Sequence, residues 1–285
     1  MFDEFRLSEF LVPQGWRTNL VILGVLSIAQ VLQRNQGHVE RRQRRLVASE
    51  ILMLFFSMHL IGGVLKASDY CFKLFRFDQF LPSIEIASLG ATNDQTHFVL
   101  KVLLATLLFL IYILIWDLCQ YTIHRALHTR LLYGSLHEFH HRAVMSVTSS
   151  FRHSIPAFFF IFLFFNIPFA HVLHFSFPDI DLFIFWTAFA LVSFALHSRI
   201  WLPFRRLGAV LMTPNHHLFH HAQATRFFNS NFGQIITLWD RLFGTYVDPW
   251  AVDEQTRRRI QTGQPITATN ELFGFLGLTR PPAQS

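Results

Sequence analysis

The sequence predicts an all-α integral membrane protein, a bundle of about four transmembrane helices (two plus a hairpin) with a cytoplasmic helical cap that carries three histidine clusters. Composition is the first observation behind this. Of 285 residues, 52% are hydrophobic and only 15% charged, against ~25% charged in soluble domains. The second is a series of apolar runs, at Asn19–Leu32, Leu46–Leu65, Phe98–Leu118, Ile155–Phe177 and Leu182–Leu196, set against the ~20 residues that a helix needs to cross a bilayer. The third is the placing of arginine beside those runs: five from Arg34 to Arg45, four from Arg125 to Arg152 and eight from Arg199 to Arg259. Basic flanks of this kind mark the cytoplasmic side.

Taken in order, residues 1–95 form an N-terminal membrane region with one or two transmembrane helices. Asn19–Leu32 is short for a span, and Leu46–Leu65 crosses outward. Lys66–Lys101 then lies outside, and Phe98–Leu118 returns. Residues 96–250 form the domain that carries the histidine clusters, in which Gln120–His153 is cytoplasmic. Ile155–Leu196, broken at Pro178-Asp179, dips into the bilayer and back as a hairpin. Everything after His197 is again cytoplasmic, and 251–285 is a polar C-terminal tail. Met1–Phe10 is acidic and polar, unlike the basic start of a cleavable signal. Cys71 and Cys119 make no disulfide framework. The net charge of +6 belongs to lipid-facing flanks and no basic-aromatic stretch fits a nucleic-acid module, so nucleic acid is not an expected partner.

Sixteen histidines matter less for their number than for their spacing. His124 and His128 stand at i, i+4; His137, His140 and His141 at i, i+3, i+4; His217, His220 and His221 repeat that pattern. On a helix each set shares one face. Eight buried imidazoles without a metal would leave polar nitrogens unpaired at considerable cost. A catalytic zinc needs only three protein ligands, so this many suits two ions. His197 and His153, at the two ends of the hairpin, are further candidate ligands. His216 adjoins a cluster but points about 100° away from His217. His38, His59, His97, His171 and His174 read as structural, the last two at the far end of the hairpin.

Groups that orient metal-bound imidazoles are expected near them. Asp117, Tyr121, His124 and His128 form one helical stripe, and a carboxylate at the end of an apolar helix is a functional candidate. Asn231 and Asp240 are candidates of the same kind.

Residues 137–141 read HEFHH, which also satisfies H-E-x-x-H, a zinc-hydrolase signature with Glu138 as base. That reading leaves His140 and both other clusters without a purpose. A non-enzymatic metal-binding or transport protein is the remaining alternative, although the spans offer little besides Ser57, His59, Lys101 and Thr106 to line a path.

The ordered stretches HRALH, HEFHH and HLFHH, followed by NFGQIITLWDRLFGT, resemble the fatty acid hydroxylase / sterol desaturase superfamily over roughly Phe98 to Val247. The resemblance implies a cytoplasm-facing non-haem site of two Fe ions that uses O₂ and two electrons to hydroxylate or desaturate an aliphatic C–H position of a membrane lipid. Imidazole alone does not select iron, and a purified sample can carry zinc. The family's ligands map onto His124, His128, His137, His140, His141, His217, His220 and His221, with His197 and His153 matching its isolated histidines. Some relatives carry a second histidine one turn before the position of His197; here that residue is Ser193, so that this second ligand is missing or His153 takes its place. No nucleotide fingerprint or cysteine run supplies electrons. An external ferredoxin or cytochrome with its reductase is therefore implied, docking at an arginine face such as Arg205 and Arg206, residues that serve equally well as lipid-facing anchors.

Overall fold

A run of 33 residues without glycine or proline, Gln95–Leu127, forms one unbroken helix, α1. At 1.5 Å per residue it extends ~50 Å, longer than the ~30 Å hydrocarbon core of a bilayer. This computed structural model describes residue 28, residues 63–64, 67–80, 84–86, 95–142, 144–175, 191–263 and 273–278. Among the described residues, one helix is long and apolar enough to cross a membrane, Thr106–Leu127 within α1. It begins and ends later than the expected span Phe98–Leu118, so Tyr121 and His124 fall within it and His128 just past its end. Leu103, Leu107, Leu110 and Ile111 are exposed, whereas Trp116, Asp117, Tyr121 and Leu127 are buried. One end of α1 presents leucine outward, as lipid contact requires. Its other end is enclosed by the rest of the chain.

The expected spans Asn19–Leu32 and Leu46–Leu65 lie almost wholly outside the described residues, as does the Pro178-Asp179 turn. The first arm of the hairpin is helical from Ile155 to Val172 in three joined pieces: α3 (Ile155–Ile161), a π-helical turn (Phe162–Asn166) and α4 (Ile167–Val172). Ser154 starts it, its Oγ accepting the Ala157 N–H at 3.2 Å and donating to the Ser135 carbonyl at 3.0 Å. That second bond fixes the foot of the arm to the turn before HEFHH.

The described residues are helical, as expected, apart from one short pair of strands. β1 (Ile84–Ile86) and β2 (Leu173–Phe175) pair in parallel, Glu85 opposite His174. Three-residue strands cannot be recognised by alternation in sequence, and both merge into apolar surroundings. The pair joins the stretch between the expected spans Leu46–Leu65 and Phe98–Leu118 to the end of the helical arm Ile155–Val172.

The cap is built from short pieces. A π-helical turn at Tyr133–His137 leads into α2 (Glu138–Arg142). α5 (Pro214–His220) begins at Thr213 and carries the third histidine cluster, and α6 (Leu238–Leu242) follows it. Met145, Leu218, Phe219, Ala222, Phe227 and Ile260 form the core beneath the cap, with Trp201, Val247 and Val252 against it. Burying side chains of this size contributes roughly 1.5–3 kcal/mol each. Despite its polar composition, the chain after residue 250 contributes to this packing. Ile260 and Phe275 are buried, and Thr262 pairs with Ala222 in an isolated bridge. At Gly274 any Cβ would sit 2.1 Å from the Phe139 ring, so only glycine allows that approach.

Candidate metal centre

Nine imidazoles from four separate segments converge where α1, α2, α5 and the end of the hairpin meet. They fall into two groups, each with its nitrogens within 4.8 Å of one another: His124, His128, His137, His141 and His220; and His140, His197, His217 and His221. Neither group contains a carboxylate or a thiol. The sequence places each H-x-x-H-H set on one helical face, but the structure divides both sets between the groups. His137 and His141 go to the first group while His140 goes to the second. His217 and His221 go to the second while His220 goes to the first. In both splits the residues four apart stay together and the third goes to the other group.

The Nε2 atoms point inward. His197 Nε2 is 2.9 Å from His217 Nε2 and 3.1 Å from His140 Nε2. His141 Nε2 is 3.1 Å from His220 Nε2 and 3.2 Å from His137 Nε2. Rings of different segments stack closely, with His141 and His221 centroids 4.2 Å apart. Phe232 stands edge-on to His124, His128 and His220 and closes one side of the first group.

Three main-chain carbonyls fix which nitrogen carries the proton. His124 Nδ1 lies 2.9 Å from the Phe232 oxygen, His220 Nδ1 2.8 Å from the Ser230 oxygen, and His197 Nδ1 2.8 Å from the Ser193 oxygen. A carbonyl only accepts, so each Nδ1 is the donor and each Nε2 keeps its lone pair for the centre. Ser193, which stands where some relatives have a histidine, thus acts through its backbone.

These features fit metal ions. The Nδ1 atoms of His137, His140, His217 and His221 are buried without a hydrogen-bond partner, as is His128 Nε2. Burial, followed by the crowding of neighbouring imidazoles, holds His137, His140, His141, His217, His220 and His221 well below the usual imidazole range. Neutral rings with converging lone pairs are what a divalent cation binds, and an all-imidazole set suits iron, zinc, copper or nickel.

The remaining candidates lie around this cluster in different ways. His153 stacks on His140, centroids 4.5 Å apart and nearly parallel, but falls outside both groups. His216 faces elsewhere, its Nδ1 accepting from the Thr213 N–H and hydroxyl at the start of α5. Glu138 pairs with Arg142 at 2.9 Å. Asp117 does not hold an imidazole directly. Its two oxygens accept the N–H groups of Ile235 and Ile236 at 2.8 and 3.2 Å. Asp240 accepts from Phe232 and Gly233, both at 2.8 Å, and from the Thr245 hydroxyl at 2.7 Å. Because Thr245 donates to Asp240, Tyr121 must donate to Thr245 (2.9 Å), and Arg125 donates to Tyr121 (3.1 Å). Burial pushes the Asp240 carboxyl up, and its donors pull it back. Asn231, at positive φ, bridges His216 and Val247 with its side-chain amide.

Sequence reasoning missed Ser230, Phe232, Gly233 and Thr245. All lie within NFGQIITLWDRLFGT or just before it, where the glycines were the available signal. At Gly233 a Cβ would stand 2.6 Å from the Ile236 oxygen and 2.9 Å from Asp240 Oδ2.

Residues 109–245 match the family model described as fatty acid hydroxylase. A Delta(7)-sterol 5(6)-desaturase of Leptosphaeria maculans is 30% identical over 54% of this chain and 40% of its own length. Human lathosterol oxidase is 31% identical over 47% and 42%. An alkylglycerol monooxygenase of Xenopus tropicalis is 28% identical over 46% and 28%. The match to the two sterol enzymes thus spans about two fifths of their length. No solved structure matches the chain.

Proposed function

Since the chain belongs to the fatty acid hydroxylase / sterol desaturase superfamily through residues 109–245, we propose that it is an O₂-dependent di-iron oxidoreductase that hydroxylates or desaturates an aliphatic C–H position of a membrane lipid. The observation that carries this reading is the division of nine imidazoles into groups of five and four, more than one ion requires and enough for two. His124, His128, His137, His141 and His220 would hold one iron, and His140, His197, His217 and His221 the other. Such a pair supplies the oxidising power that an unactivated C–H bond demands, using O₂ and two electrons from a separate ferredoxin or cytochrome with its reductase.

The residues of the chain perform the rest. Carbonyls of Ser193, Ser230 and Phe232 keep three rings in the tautomer that offers Nε2. Phe232, buried at 1% exposure, keeps bulk water from the first group. The apolar arm Ile155–Val172 starts two residues from His153, so a lipid chain lying along it arrives beside the imidazoles. The names of the relatives, sterol desaturases and an alkylglycerol monooxygenase, support a lipid substrate. The hairpin and the basic flanks support a multi-pass protein with this centre on the cytoplasmic side.

The zinc-hydrolase alternative fits the site less well. It requires a three-ligand ion with Glu138 over its water, whereas His137 and His141 belong to a five-imidazole group and Glu138 pairs with Arg142. The test is comparative lipidomics of cells with and without the chain under O₂. One lipid class should gain an oxygen atom or lose two hydrogens, and His217→Ala should abolish the change. An unchanged lipid profile from a chain loaded with two irons and supplied with reductant would remove the reading.

A further inference from the structure

We infer that the loop Ser230–Ile236 is a tautomer-setting cradle for the five-imidazole group alone, and that Asp240 and Asp117 are the positioning residues that hold it. This rests on the two-metal reading above. Two of the five ligands, His124 and His220, donate Nδ1–H to carbonyls of this one loop, those of Phe232 and Ser230. In the four-imidazole group the corresponding carbonyl is that of Ser193, at the end of the hairpin, outside the loop.

A carbonyl can orient a ring only if its own peptide unit is fixed. Four N–H groups of the loop are taken by two buried carboxylates: Phe232 and Gly233 by Asp240, Ile235 and Ile236 by Asp117. The loop is also pinned by Asn231 N–H to the Thr245 carbonyl at 2.9 Å, and by Met212 N–H to the Ile235 carbonyl at 2.8 Å. Asp240 is in turn held by the hydroxyl of Thr245 at 2.7 Å. Asp117 comes from α1, two turns before His124 on the same helix. One helix therefore supplies a ligand, His124, and also the clamp on the loop that orients that ligand. Gly233 is the point of closest approach, and its lack of a Cβ lets Asp240 reach the backbone.

Charged acceptors on N–H donors form stronger hydrogen bonds than neutral ones. An asparagine at position 240 must turn an NH₂ group toward the Gly233 N–H or toward the Phe232 N–H and the Thr245 hydroxyl, so a backbone N–H beside the Phe232 carbonyl loses its acceptor in either orientation and the loop is loosened there. Loss of such outer partners weakens metal binding by about 10- to 100-fold. The weakening should be confined to one group.

The experiment titrates the purified full-length chain with ferrous iron under anaerobic conditions and counts bound metal by mass spectrometry. The wild type should hold two irons. Asp240→Asn should hold one tightly and bind the second about 10- to 100-fold more weakly. Adding His217→Ala to that variant should remove the tight iron, and adding His137→Ala should spare it. Gly233→Ala, which displaces Asp240 without changing any charge, should reproduce the selective loss. Two irons at unchanged affinity in both variants, or equal weakening at both groups, overturns the cradle and leaves the two-metal reading standing. Fewer than two irons in the wild type overturns that reading as well.

Discussion

Glu138 and Arg142 form an ion pair at 2.9 Å on the same five-residue helix that sends His140 and His141 into the cluster. An i, i+4 pair of this exposure contributes roughly 0.3–0.5 kcal/mol. Glu138→Gln should therefore change activity less than about twofold, while His217→Ala abolishes it. Turnover of the two variants, measured side by side, checks this. The opposite ranking would restore Glu138 as a general base and bring back the hydrolase.

Burial of His197 and His153 makes the metal-free centre sensitive to acid. Burial lowers His197 from 6.5 to about 3 and His153 to about 4. Between the folded and unfolded values the unfolded chain binds more protons, so stability rises with pH. It is complete above the unfolded value of 6.5 and is lost as pH falls toward the folded values. Each such histidine contributes about 1.4 kcal/mol per pH unit inside that window. Chelator-treated protein should melt at a markedly lower temperature at about pH 5 than at neutral pH. A flat melting temperature over this range would contradict the burial of these rings.

Gly208 sits under Trp250, where an added Cβ would stand 2.0 Å from the indole ring. That indole also packs edge-on against His216 at 5.3 Å and near Trp201 at 6.0 Å. Gly208→Ala must displace it, an overpacking cost of about 1–3 kcal/mol. A fall in melting temperature with both metals retained is expected, because His216 lies outside the two groups. Loss of metal would show that this wall supports the ligands.

Leu110 on α1 is 52% exposed, midway along the leucine-rich outer end of the helix. If α1 crosses the bilayer, an arginine there costs about 2.5–3.5 kcal/mol of insertion free energy. Leu110→Arg should reduce membrane integration in a microsomal insertion assay, and Thr122→Arg, also exposed but near the more polar end of the helix, should reduce it less. Equal integration of the two variants would argue that α1 does not span.

The ligand segments were legible because helical ligand spacing is a local property, read three and four residues apart. Their partition was not, since one face of HEFHH serves two centres and the π-helical turn ending at His137 alters the phase leading into α2. Asp117 drew attention as a buried charge, yet its partners, the N–H groups of Ile235 and Ile236, are 118 and 119 residues away and carry no side-chain signature. The same holds for Ser193, expected as a missing ligand and found orienting His197 through its carbonyl. The β1–β2 pair was invisible because three residues are too few to establish an alternating pattern.

His153 separates a geometric reading from one based on resemblance. Its ring lies flat on His140 at 4.5 Å and beside Phe158 at 5.5 Å, and its buried Nδ1 has no hydrogen-bond partner. Its nitrogens nonetheless lie outside both groups. A stacked ring positions its neighbour without coordinating, contributing about 0.5–1.5 kcal/mol to the pair. His153→Ala should therefore keep two irons per chain, and His153→Phe, which preserves the stack, should restore the activity that the alanine variant loses. One iron in the alanine variant, not recovered with phenylalanine, would make His153 the fifth ligand of the second group.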